Sequence, residues 1–131
     1  MSTTAFLQKF EGGNEAVVAL DDVLPFLSEH SGVEQPDVSA AIALPAGIAN
    51  SVRVIGDGQG GVLCLSLTDP SASRDFQDFA FEAMVRFGFS LFFDDLATIY
   101  SASPDSDDIP KALLRDSVNG VKRVYRANQI G

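Results

Sequence analysis

The sequence predicts a single α+β domain spanning residues 1–131, with an antiparallel sheet of about four or five strands and helices packed mainly on one face. Three observations predict it. Seven of the chain's ten phenylalanines fall between Phe76 and Phe93, and their spacing changes from helical to alternating at Gly88. Residues 52–55 and 62–67 are β-branched and leucine-rich and flank a glycine-rich turn, the pattern of a hairpin. The chain has 131 residues, 46% hydrophobic and 21% charged, which is enough for one core without disulfides or metals.

Taken in order, Phe6, Leu7 and Phe10 fit one short helical turn, and Gly12-Gly13 marks a break. Residues 1–13 are therefore expected to be loosely ordered. In the next segment Val17, Leu20, Leu24 and Leu27 fit a helical face, but Pro25 would interrupt a helix that long. The favoured reading is a strand at residues 16–20 and a helix over 21–30. Asp21 or Asp22 would cap it, with Gly32 just beyond its end. Residues 33–51 hold Pro36, Pro45 and Gly47 around Val38–Leu44, and either a short strand or a loosely helical connector fits them. The strand at 62–67 is apolar at nearly every position, as expected of a central strand covered on both faces.

Ser73 is the expected N-cap of the phenylalanine-rich helix, with Asp75 in its first turn, Arg86 in its last and Gly88 as its left-handed stop. A strand at Phe89–Phe93, a connection at Asp94-Asp95 and a strand at Leu96–Tyr100 follow. Asp-Asp suits a two-residue hairpin poorly, so a longer turn is expected. Residues 101–108 read as a polar loop. Asp107 or Asp108 would cap a last helix with Pro110 in its first turn. Leu114, Val118, Val121 and Tyr125 continue its stripe, and Asn119-Gly120 weakens or splits it.

Net charge is −9 and unevenly spread. Residues 1–110 carry 17 acidic and four basic side chains, whereas residues 111–131 carry five basic and one acidic. An acidic body repels nucleic-acid phosphates and anionic membranes, so neither is expected as a partner. The basic C-terminal segment is expected to pair with the acidic body or to favour a helix end. The single cysteine, Cys64, excludes an internal disulfide and fits a reducing, cytoplasmic location. Neither a secretory signal nor a membrane-spanning run is visible.

Motifs for chemistry are incomplete. Gly56-Asp57-Gly58-Gln59-Gly60-Gly61 matches G-x-G-x-x-G, but a strand follows it where a dinucleotide site needs a helix. Asp105, Asp107 and Asp108 resemble the start of a calcium loop, but Ile109 and Pro110 break the pattern. One histidine and one cysteine leave too few soft ligands for zinc. His30 has no evident partner, and Cys64 reads as a small buried hydrophobe. No cofactor, metal or catalytic residue is expected, and the chain reads as non-enzymatic. Phe81, Val85 and Phe92 lie off the apolar stripes. They are either core or an exposed patch ringed by Asp78, Glu82, Asp94 and Asp95.

The run Phe76-x-x-Phe79-Ala80, Phe87-Gly88-Phe89-x-Leu91-Phe92-Phe93-Asp94 and Ile99-Tyr100 resembles small bacterial immunity proteins of polymorphic or contact-dependent toxin systems. The resemblance spans residues 76–100. It implies a cytoplasmic, acidic, non-enzymatic protein that binds a cognate toxin, and it carries no catalytic residues. Asp94, Asp95, Asp105, Asp107, Asp108 and Phe92 are the expected partner contacts, because complementary charge speeds association with a basic protein. A second reading is a type III secretion chaperone. The order hairpin, helix, two strands, helix is loosely similar to those acidic proteins, usually homodimers that bind a secreted effector segment. A third is a small-ligand sensor with a cleft near the 56–61 turn.

Overall fold

The computed structural model describes residues 3–102 and 108–130. Among them the elements run β1 (Thr4–Glu11), β2 (Asn14–Ala16), β3 (Val18–Ala19), α1 (Leu20–Ser31), β4 (Ile42–Ala43), β5 (Ser51–Gly56), β6 (Gly61–Thr68), α2 (Arg74–Phe87), β7 (Phe89–Phe93), β8 (Ile99–Ser101), α3 (Lys111–Asp116) and β9 (Val121–Arg123), closing with a 3₁₀ turn at Ala127–Gln129. The strands form one sheet in the order β4-β5-β6-β1-β7-β8-β9, with β2 added to β1 and β3 to β6. The β8–β9 pair is parallel, and the other pairs are antiparallel. The α+β class is the predicted one. The sheet exceeds four or five strands because β2, β3, β4, β8 and β9 have only two or three residues each, too few to leave a periodic signature.

The largest correction concerns the N-terminus. Residues 4–11 form neither a helical turn nor a loose segment; they are β1, inserted between β6 and β7. Ala5 and Leu7 point into the main core, whereas Phe10 enters a second cluster. A strand covered on both faces loses its alternation, so Phe6, Leu7 and Phe10 mimic a helical turn.

Helix α1 matches the favoured reading, extended by one residue at each end. Neither Asp21 nor Asp22 caps it: the N-cap is Ala19, with no side-chain bond, and both aspartates lie in the first turn. The Leu20 N–H instead donates to Gly60 O of the β5–β6 turn at 2.9 Å. Pro25 is accommodated inside the helix, and Gly32 (φ 76°) ends it. In the stretch 33–51, short β4 pairs with β5, and Ile48 and Ala49 are buried.

Helix α2 forms as its sequence dictates. Ser73 Oγ accepts from Phe76 N at 3.5 Å and donates to Gly47 O, and Gly88 (φ 77°) returns its N–H to Met84 O. In β6 a bulge at Leu63 resets the alternation, so Val62 joins Leu65 and Leu67 in the core. Strand β8 starts later than expected: Leu96 (φ 50°) and its neighbours form the longer turn.

Helices α1 and α2 cover one face. Val23, Phe26, Leu27, Phe79, Ala83 and Met84 pack there against Leu7, Leu65, Leu67 and Leu91. Phe10, Phe92 and Ile99 alternate to the opposite face, where Ile109 and the α3 residues Leu113 and Leu114 cover them. The last helix is shorter than predicted. It ends at Asp116, and Val121 lies in β9, so no stripe continues to Tyr125. Ser117, in extended backbone (φ −80°, ψ 136°), ends the helix, Gly120 takes φ 70° just before β9, and Val118 and Tyr125 are 82% and 64% exposed. Its N-cap is Pro110, not Asp107 or Asp108.

Candidate partner-binding surface

Both ends of β1 are held by aspartates. At its start Asp94 N donates to Thr4 O at 3.0 Å, and Thr4 N lies 3.3 Å from Asp94 Oδ2. Asp69 N donates to Thr3 O at 2.8 Å. Asp95 Oδ1 accepts from Ala97 N at 3.0 Å and so holds the β7–β8 turn. Asp69, Asp94 and Asp95 are all exposed, so their backbone or turn roles leave carboxylate surface facing solvent.

Beyond the far end of β1, Asp108 Oδ1 accepts from Gly12 N at 3.0 Å, and its carbonyl accepts from Gly13 N. The eight residues of β1 separate the two places by roughly 25 Å. Asp94 and Asp95 therefore share one end of the sheet, and Asp108 fastens the β1–β2 turn at the other. Asp105 and Asp107 lie outside the described residues. Phe92 is half-buried: its ring stacks on Phe6 (5.5 Å) and Phe10 (6.5 Å) and packs into the smaller cluster.

The three off-stripe residues do not form one patch. Phe81 is half-buried against the main core, Phe92 lies on the other face of the sheet, and Val85 is 61% exposed. Val85 borders a shallow depression with Asp78, Phe81, Glu82 and Arg86. It stands about 13 Å along α2 from Phe76, whose ring is 6.1 Å from that of Phe93 beside the acidic turn.

At the acidic end lies a groove of about 350 Å³. Phe76, Phe93 and Ile130 supply its apolar lining, and Thr3, Ser71, Ser73, Gln77 and Asn128 its polar groups. Gln77 Nε2 donates to Ile130 O at 2.6 Å, tying the C-terminal segment to α2 and closing one wall. Asp69 adjoins the groove residues Pro70 and Ser71, and Asp94 adjoins Phe93. Sequence reasoning missed this groove because its walls come from four separate stretches.

Other sequence expectations resolve locally. The glycine-rich turn is a hairpin whose Asp57 Oδ1 accepts from Gln59 N (2.7 Å) and Gly61 N (2.9 Å). The amides a phosphate would need are thus taken by the protein's own carboxylate, which those bonds hold below the usual carboxylate range. Burial, with the Glu15 charge second, pushes the Cys64 thiol up to about 12. His30 does have a partner, since its Nε2 lies 2.9 Å from Glu82 Oε2. Among the described residues the basic C-terminal segment makes no ion pair with the acidic body, although Arg115 lies in the last turn of α3, where a positive charge suits the helix end. The one ion pair of the segment among those residues is Arg115–Asp116, within it, while Lys122 Nζ donates to Gln129 O and Arg123 stacks on Tyr125. No described helix is long and apolar enough to cross a membrane.

No family model, curated protein or solved structure matches this chain.

Proposed function

We propose that this chain is a non-enzymatic bacterial protein-interaction module, an immunity- or inhibitor-type protein that neutralises a basic partner protein in the cytoplasm. The observation that carries this reading is the groove of mixed apolar and polar lining around Phe76, Phe93 and Ile130, with exposed Asp69 and Asp94 next to its lining residues in the chain and exposed Asp95 in the same turn as Asp94. An apolar pocket takes an anchoring side chain, and the carboxylates around it steer and orient a cationic partner. The same charge disfavours nucleic acid and anionic lipid.

Affinity capture from the native host identifies the partner, and stopped-flow kinetics then test the surface. Asp94→Asn with Asp95→Asn slows association and flattens its salt dependence, and Phe93→Ala speeds dissociation. Unchanged association in the double variant refutes the reading.

A second reading, the homodimeric secretion chaperone, is favoured by one observation. The β5–β6 hairpin, α2, β7–β8 and α3 follow in the order that reading expects. Light scattering separates the two, because a strict monomer argues strongly against the chaperone.

A further inference from the structure

Among the described residues, one cluster of three potential metal ligands lies between α1 and α2, away from the groove. One ligand atom each from Glu29, His30 and Glu82 lies within 4.8 Å of the others. His30 is anchored and not merely close. Its ring packs at 4.6 Å from that of Phe26 and at 5.0 Å, edge-on, from that of Phe79, both fully buried. Its side chain is 22% exposed and that of Glu82 42%, and Glu29 is exposed, so solvent reaches the cluster from the carboxylate side.

We infer that Glu29, His30 and Glu82 form a binding site for a first-row divalent cation of the zinc type. One imidazole nitrogen and two carboxylate oxygens are the mixed donor set such ions accept. In a tetrahedral site with bonds of about 2.0–2.1 Å the ligand atoms stand roughly 3.3 Å apart, so the observed spacing closes with a small movement of the solvent-facing glutamates. Water completes the coordination. Because the ligands come from two helices, the ion cross-links α1 to α2 over the Phe26–Phe79 contact. Counting soft ligands along the sequence could not reveal this site, because two of its three donors are carboxylates and one of them is 52 residues from His30.

The test uses the full chain, stripped of metal with a chelator. Zn²⁺ is titrated by calorimetry, and Co²⁺ by its visible d–d bands and by proton NMR. The expected result is one saturable site, with affinity lowered more than about tenfold in Glu29→Gln and Glu82→Gln and unchanged in the control Asp21→Asn. Co²⁺ shifts the imidazole signals of His30, which are unambiguous because the chain has one histidine. Absence of saturable binding overturns the inference, as does affinity unchanged in Glu29→Gln and Glu82→Gln, or imidazole signals that Co²⁺ leaves unmoved. The NMR arm needs no substitution at His30, whose packing against two core phenylalanines makes a variant there prone to misfold.

Discussion

Asp57 shows how a single side chain decides a loop. Its carboxylate accepts two backbone N–H bonds across the glycine turn, and Asp57 N donates to Gly61 O at 3.0 Å. The bonds from Gln59 and Gly61 lower its folded pKa. A lowered carboxylate pKa contributes stability that is fully present above the unfolded value and lost as pH falls through the folded one. Asp57→Asn should therefore reduce stability near pH 6 and cost progressively less as pH drops below 3.8, the ordinary value. Urea denaturation at the two pH values checks this. Cys64 behaves oppositely. With its pKa raised from 9.0 to about 12, the folded thiol stays protonated while the unfolded one ionises, so its contribution falls as pH rises above 9. At neutral pH a thiol-reactive dye should label Cys64 only upon unfolding, and rapid labelling under native conditions would contradict its burial.

At the scale of elements, α2 was the most legible part of the sequence and β1 the least. Helix α2 carries its start, stripe and stop locally: Ser73 caps it, Phe76, Phe79, Ala80, Ala83, Met84 and Phe87 are buried, and Gly88 ends it. Ser73→Ala should cost about 1 kcal/mol, typical of a lost N-cap. Gly88→Ala should cost about 1–2 kcal/mol, because its φ of 77° puts a Cβ in the left-handed region. A Cβ there meets only Lys9 Cε at 3.6 Å, so the cost is conformational and not steric. Denaturant midpoints that fall with unchanged slopes would confirm both. Strand β1 had no comparable local grammar, because each of its faces meets a different cluster. The short strands were illegible for another reason: Ile42–Ala43 and Val121–Arg123 exist through their pairing with β5 and β8.

For the molecule as a whole, two large terms oppose each other. The core centres on Phe26 and Phe79, whose ring centroids lie 4.9 Å apart, and Phe79→Ala should destabilise by about 3–5 kcal/mol. Against it stands a net charge of −9, with four ion pairs among the described residues. Self-repulsion on this scale is screened by salt. The melting temperature should therefore rise as sodium chloride increases from low millimolar to physiological concentration, and a calorimetric scan showing a fall would contradict this reading. By itself the sequence determined the α+β class, the β5–β6 hairpin, and α2 with the strand that follows it. Those features are encoded by neighbours in the chain, through periodicity, caps and glycines. Only the tertiary structure decided that β1 runs through the sheet, that Asp94 and Asp108 lie far apart, and that Glu82 meets His30. Each of these depends on which distant segments pack together, and no local pattern of residues carries that information.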